Sequence, residues 1–153
     1  MEPAATALAA LREQRHRFLN HLQVLSGWLQ LGDPAQAARY LDRAVAELQA
    51  EGALSRLEPP ELALALIRAH WAALDLGVAI RWHLANPLPG PLAPALVPLV
   101  VGLVERAAAA ESRRPAPELT VTIGPGPGGW ELVLRGPAAA ADPELAAMAR
   151  RLG

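Results

Sequence analysis

Residues 15–23 read Arg15-His16-Arg17-Phe18-Leu19-Asn20-His21-Leu22-Gln23, and they lie within a predicted first helix from about Ala5 to Leu31. Along this helix, large apolar side chains recur at alternating spacings of three and four residues, with one arginine in the same series: Leu8, Leu11, Arg15, Phe18, Leu22, Leu25 and Leu29. Such spacing places the side chains on one side of an α-helix and is typical of a helix that packs against other helices. The segment is therefore predicted to belong to a helical bundle.

A second series of residues follows the same helix on another face. It is polar apart from its final glycine, and its members are spaced by four, four, three and four residues: Arg12, His16, Asn20, Gln23 and Gly27. These spacings also select one side of a helix, so the sequence predicts a polar stripe beside the apolar one. A histidine exposed in such a stripe can accept a phosphoryl group, because a neutral imidazole nitrogen is a nucleophile.

The segment RHRFLNHLQVLSG, residues 15–27, resembles the phosphoacceptor helix of the sporulation initiation phosphotransferase B family, and sensor kinases of the citrate/fumarate type carry a similar helix. The resemblance implies that His16 is the phosphoacceptor. Asn20, one turn away, either orients the imidazole or is a plain surface residue. The segment departs from the family at Arg17, where the family usually has Asp. The resemblance is carried by these residues: Arg15, His16, Asn20, Leu22, Gln23 and Gly27.

Several polar side chains around His16 are candidates for binding phosphate or a partner. We predict that Arg12, Arg15 and Arg17 contact phosphate oxygens or an acidic partner surface, because guanidinium groups form charge-assisted hydrogen bonds with such groups. Gln23 is predicted to join them, since its amide can donate a hydrogen bond to the same oxygens. The alternative for Arg12 and Arg17 is a solvated helix face, and Arg15 can also pair within a bundle. In autophosphorylating kinases the acidic residue after the histidine acts as a base, which Arg17 cannot do.

The end of the first helix and the start of the second are marked by Gly32-Asp33-Pro34. Gly32 can take the left-handed conformation that closes a helix, Asp33 can cap the next helix, and proline is favoured in a first helical turn. Because the turn is so short, the two helices must form an antiparallel hairpin. A hairpin buries little apolar surface by itself, so we expect a second copy to complete a dimeric four-helix bundle, as the resemblance also implies.

The remainder of the chain is predicted to form a second domain, so that residues 1–56 are the helical hairpin and residues 57–153 are an α+β domain. Some segments alternate apolar and polar residues as strands do, and others have helical spacing. The predicted order is helix 61–76, strand 78–84, helix 92–112, strand 119–123, strand 130–134 and helix 142–152. The predicted fold class is therefore α+β, a hairpin followed by a small α/β sandwich.

This order of elements resembles the ATP-binding domain of histidine kinases. In that family the long helix supplies an Asn that holds magnesium, and the Asp of an Asp-x-Gly-x-Gly segment after the sheet hairpin binds the adenine base. The matching segments, 101–108 and 134–138, contain neither that Asn nor that Asp. The glycine-rich run at 124–129 leads into a strand rather than a helix, which favours a hairpin turn over a phosphate loop. We therefore expect a degenerate ATPase-like domain without ATP-dependent kinase activity.

The composition argues against several other functions. Fourteen basic and fifteen acidic residues give a formal net charge of −1, so neither nucleic acid nor an anionic membrane is an expected partner. The chain has no cysteine, and His21, His70 and His83 lack the spacing of metal ligands. We expect these histidines to be structural and this chain to bind no cofactor. No signal peptide or membrane-spanning stretch is recognised, so a soluble, cytoplasmic protein is expected.

The sequence thus favours a homodimeric histidine phosphotransferase of a phosphorelay, which carries a phosphoryl group between response-regulator aspartates through His16. Its expected partners are response-regulator receiver domains, which would bring the Mg²⁺ needed for transfer. One alternative is a non-catalytic dimer that binds and sequesters a regulator or a kinase. A weaker alternative is a fragment of an ATP-dependent sensor histidine kinase.

Overall fold

The computed structural model describes residues 2–152, and it describes the side chains of residues 2–147. The chain divides into two compact units, Met1–Gly52 and Ala53–Gly153. The described part of the first unit is helical, and the second unit combines helices with a small mixed sheet of three strands. Within the described residues, no helix has both the length and the apolar character needed to cross a bilayer. The predicted α+β class, with helices at the N-terminus, is confirmed.

The first unit is formed by α1, Pro3–Gln30, and most of α2, Pro34–Leu54. Gly32 has a φ of 73°, in the left-handed region, and the amides of Gly32 and Asp33 donate hydrogen bonds to carbonyl oxygens in the last turns of α1. Asp33 then caps α2, because its Oδ1 accepts a hydrogen bond from the Gln36 amide at 3.0 Å. The predicted stop and start signals of the hairpin are confirmed.

Replacing Asp33 with alanine should lower the free energy of unfolding of the hairpin by about 1 kcal/mol, because the Gln36 amide loses its acceptor. Asp42, which is exposed within α2, is a matched control. Asp42→Ala should change the free energy by less than about 0.5 kcal/mol. Thermal unfolding followed by circular dichroism measures both variants, and equal melting temperatures would contradict the capping role.

The second unit begins with α3, Pro60–Asp75, and the strand β1, Ile80–Leu84. A turn of 3-10 helix precedes α4, and two strands and two helices follow it: Pro94–Leu96, α4 Val97–Glu111, β2 Leu119–Gly124, β3 Glu131–Arg135, α5 Pro137–Ala140 and α6 Pro143–Leu152. The strand order is β1-β2-β3, with β1 and β2 parallel and β2 and β3 antiparallel. The parallel pair requires a crossover, which α4 supplies.

The core of the second unit lies between the sheet and the helices α3 and α4. In β2 the side chains of Leu119, Val121 and Ile123 are buried, and they alternate with less buried residues, as the period of a strand requires. Apolar side chains at helical spacing complete the core: Leu62, Leu66, Ala69 and Ala73 of α3, and Val100, Leu103, Val104 and Ala107 of α4. Burial of these side chains is the main favourable contribution to this fold.

Three features differ from the sequence-based prediction. β1 begins at Ile80 rather than at Val78, because the Val78 amide is used to close the last turns of α3. The predicted helix 92–112 is wrong at its start, since α4 begins at Val97. The prolines of this segment have no amide to donate, which restricts them to the first turn of a helix. The short helix α5 is not predicted at all, and it depends on a side chain that is distant in sequence.

Candidate functional site

One face of α1 carries the predicted phosphoacceptor and is open to solvent. The side chains of Arg12, His16, Asn20 and Gln23 are all exposed. Because an α-helix has 3.6 residues per turn, these four positions fall within roughly 80° of one another around the helix axis. Arg15 is also exposed, but it lies toward the apolar series of α1. The structure therefore brings Arg12, Asn20 and Gln23 onto the face of His16.

Arg17 follows His16 in the sequence, and its guanidinium is directed toward Glu13. The Nη2 and Nε atoms of Arg17 lie 3.1 Å and 3.3 Å from Oε1 of Glu13. The Arg17 side chain is 20% exposed, and the Glu13 side chain is 37% exposed. Glu13 precedes His16 by three residues, a spacing at which Cβ atoms of a helix are about 5–6 Å apart. Sequence reasoning missed Glu13, although its spacing of four from Arg17 was an available signal.

His21 links the two helices of the hairpin. Its Nδ1 lies 2.7 Å from the Tyr40 hydroxyl oxygen, and its Nε2 lies 3.2 Å from Oε2 of Glu47. Burial and the nearby Glu47 carboxylate raise the pKa of Tyr40, so its hydroxyl keeps its proton. The buried apolar side chains of the first unit are small: Ala10, Ala37 and Ala44. These contacts give His21 a structural role and fix the rotation of α1 so that His16 points away from α2.

The apolar series of α1 is uncovered within the described part of the first unit. Leu11 is 60% exposed, Phe18 is 46% exposed and Leu22 is 47% exposed. Apolar side chains of α2 are exposed as well: Leu41, Val45 and Leu48. An exposed apolar surface that follows two paired helices is typical of an interface with another protein.

In the second unit, Glu111 at the end of α4 holds the segment that follows β3. Its Oε1 accepts hydrogen bonds from the amides of Ala138 at 2.8 Å and Ala139 at 3.2 Å, and its Oε2 accepts one from Nη1 of Arg114 at 3.3 Å. Burial opposes ionisation of the carboxyl group, but these hydrogen bonds prevail and lower the pKa of Glu111. A Cβ atom at Gly136 would overlap the carboxylate, so this close approach requires glycine.

Asp142 joins the start of α6 to α4. Its Oδ2 accepts a hydrogen bond from Nε of Arg106 at 2.8 Å, and its Oδ1 accepts hydrogen bonds from the amides of Glu144 and Leu145. The hydrogen bond from Arg106 lowers the pKa of Asp142. The two amide hydrogen bonds make Asp142 the N-cap of α6.

A cavity of about 490 Å³ lies beside α4 and β3. Glu131 is the one ionisable residue in its described lining, and most of the other lining residues are apolar: Leu92, Leu96, Val100, Leu103, Leu132 and Leu134. Proteins bind nucleotide phosphates with cations or helix amides, whereas the charged group described here is a carboxylate. Across the part of the chain that the structure describes, no group of three histidine or carboxylate residues is placed to hold a metal ion.

The first unit is thus a helical hairpin with an exposed histidine on one face of α1 and an uncovered apolar series on another. Residues 1–57 match the family described as Sensor kinase SpoOB-type, alpha-helical domain. This match confirms, for the helical hairpin, the predicted resemblance to sporulation initiation phosphotransferase B. Residues 58–153 lie outside the match. No curated protein matches the chain. The domain type implies involvement in two-component signalling.

Proposed function

We propose that this protein is a histidine phosphotransferase of a phosphorelay, which takes a phosphoryl group from the aspartate of one response regulator onto His16 and passes it to another. The observation that carries the proposal is the exposed position of His16 on a hairpin of the phosphorelay family. A receiver domain can reach an exposed imidazole. Phosphoryl transfer depends mainly on positioning and charge neutralisation, so the histidine needs few other groups from its own chain.

The reaction at His16 is a displacement at phosphorus. A neutral ring nitrogen attacks, the P–O bond to the regulator aspartate breaks, and a P–N bond to His16 forms; the aspartate leaves as a carboxylate, and the imidazole proton goes to solvent. Asn20 orients the ring by a hydrogen bond. Arg12, Arg15 and Gln23 bind phosphate oxygens or an acidic surface of the receiver domain. The Mg²⁺ ion arrives with the receiver domain, as expected for phosphoryl transfer from an aspartate.

Two copies of the hairpin join through their uncovered apolar faces to form a four-helix bundle. This arrangement buries the exposed side chains of Leu11, Phe18 and Leu22, each of which would contribute through the apolar area it removes from water. His16 lies on a different face of α1 from these residues, so the bundle displays one phosphoacceptor per chain on its outer surface. A receiver domain can then dock on either side of the dimer.

The second unit serves as a degenerate ATPase-like scaffold that helps to dock the regulator. Two observations support the loss of nucleotide binding. The segment after β3 is held by the carboxylate of Glu111. In the neighbouring cavity, the charged residue of the described lining is Glu131, which is also acidic. Neither arrangement favours an anionic nucleotide.

The test of this function uses receiver-domain proteins of the source organism that have been phosphorylated on aspartate with radiolabelled acetyl phosphate. We expect acid-labile, base-stable label to appear on the wild-type chain, because phosphohistidine has that stability pattern. The label should be absent from His16→Ala, which lacks the nucleophile. Denaturing gel electrophoresis after acid or base treatment measures both results.

His83→Ala is a matched control, because His83 is also exposed but lies on β1 of the second unit. This variant should keep the label. Label that persists on His16→Ala would contradict the proposed role of His16. A receiver domain that binds without any transfer of label would instead favour the sequestering module, and label that passes from ATP to His16 would favour the kinase.

A further inference from the structure

The ion pair between Glu13 and Arg17 bears directly on how a phosphoryl group is accommodated at His16. We propose that Arg17 is a positioning residue that acts through Glu13, by neutralising a carboxylate that would otherwise repel the phosphoryl group on His16. This inference rests on the proposed function, since it takes His16 as the phosphoacceptor. It assigns a role to Glu13, and it separates the role of Arg17 from the direct phosphate contact expected of Arg12.

The positions around α1 place the carboxylate closer to His16 than the guanidinium is. At 3.6 residues per turn, Glu13 is rotated by roughly 60° from His16, and Arg17 is rotated by roughly 100° in the same direction, toward the side that faces α2. The Arg17 side chain is 20% exposed, whereas Arg12 is exposed on the opposite flank of His16. Two nitrogens of Arg17 converge on one oxygen of Glu13, so the guanidinium is oriented toward the carboxylate.

A phosphoryl group on the imidazole carries about two negative charges near neutral pH. Without its ion pair, the Glu13 carboxylate would therefore repel the phosphoryl group on His16, because the two residues are spaced as a helical i,i+3 pair. Solvent reduces this repulsion, because the Glu13 side chain is more than a third exposed. The expected effect of removing the charge of Arg17 is therefore modest, about a fivefold decrease in the rate of phosphorylation.

A direct contact between Arg17 and the phosphate makes the opposite prediction for a double substitution. If Arg17 binds the phosphate itself, Glu13→Gln frees the guanidinium of Arg17 for that contact and speeds phosphorylation. The double variant is then as slow as the variant that lacks only Arg17. If Arg17 acts through Glu13, removal of both charges restores the rate. A double-mutant cycle therefore distinguishes the two roles.

The experiment measures the initial rate at which phosphoramidate phosphorylates His16 in the full chain, with the rate of His16→Ala subtracted. In this reaction the P–N bond of phosphoramidate breaks, a P–N bond to the imidazole forms, ammonia leaves, and one proton goes to solvent. The variants are Glu13→Gln, Arg17→Met, their combination, and Arg17→Lys. Methionine keeps an apolar stem at this partly buried position, and circular dichroism checks that each variant is folded.

We expect Arg17→Met to be about fivefold slower than the wild type, Arg17→Lys to be close to the wild type, and the double variant to recover to within about twofold. Arg68→Ala, at an exposed position of α3, controls for a general effect of net charge. A double variant as slow as Arg17→Met, or no His16-dependent phosphorylation of the wild type, would overturn the inference. Because phosphoramidate needs no receiver domain, a chain that passes this test but takes no label from receivers would contradict the proposed function alone.

Discussion

Replacing Glu111 with alanine is expected to lower the free energy of unfolding of the second unit by about 3–5 kcal/mol. The carboxylate accepts hydrogen bonds from two backbone amides and from Arg114, and it is itself fully buried. Without it, the amides of Ala138 and Ala139 lose their acceptor at the start of α5, and an unsatisfied buried donor costs about 1–3 kcal/mol. For a unit of this size the melting temperature should fall by at least about 10 °C.

Glu105 provides the matched control for this prediction, because it lies on the same helix but is exposed. Glu105→Ala should change the free energy of unfolding by less than about 0.5 kcal/mol. Glu111→Gln keeps one acceptor oxygen and loses the charge, so its stability should lie between those of the wild type and Glu111→Ala. Urea titration of the three variants measures the differences, and equal midpoints for the two alanine variants would refute the role given to Glu111.

The same carboxylate determines how the second unit responds to acid. Burial acts to raise the pKa of Glu111, but the hydrogen bonds hold this pKa below its ordinary value of 4.5. The Glu111 carboxylate therefore binds a proton less readily in the folded state than in the unfolded state. Its contribution to stability is fully present above the ordinary pKa and is lost as the pH falls through the lowered pKa of the folded state. Urea midpoints measured below about pH 5 should fall less steeply in Glu111→Gln than in the wild type.

The hairpin was predictable because its signals are local. Gly32 and Asp33 act on residues within one or two turns, and their hydrogen bonds are those expected from residue type. Glu111 was not predictable, since it bonds to an amide 27 residues later. A glutamate near the end of a helix ordinarily faces solvent, and only the packed unit shows that this one is buried. The same dependence on distant contacts explains why α5 was missed.

The candidate site shows a similar division. Helical periodicity alone placed Arg12, Asn20 and Gln23 on the face of His16, because the spacing of a helix fixes which positions share a side. The direction of Arg17 was missed although Glu13, four residues earlier on the same helix, was a signal for it, because periodicity gives the face of a residue and not the partner toward which a long side chain turns. The contacts of His21 depend on how α1 pairs with α2. Position within one helix is therefore readable from sequence, whereas side-chain partners between helices are not.

Leu22→Glu is expected to convert the proposed dimer into a monomer by raising its dissociation constant at least about 100-fold. Leu22 lies in the middle of the uncovered apolar series of α1 and is 47% exposed in the single chain. In a four-helix bundle the substitution occurs twice, so each dimer loses the burial of two leucines and must desolvate two carboxylates. Since each 1.4 kcal/mol is a factor of ten, a loss of about 3 kcal/mol is sufficient for this effect.

Sedimentation velocity over a range of protein concentrations measures the association, and circular dichroism shows whether the variant hairpin remains helical. Leu76→Glu is the matched control, because Leu76 is 51% exposed but lies at the end of α3, outside the apolar surface of the hairpin. The control should associate like the wild type. A wild-type chain that sediments as a monomer at every concentration, or a Leu22→Glu variant that associates as tightly as the control, would contradict the bundle. In that case the apolar face of α1 would have to be covered by a different protein, because an exposed apolar surface of this kind favours association.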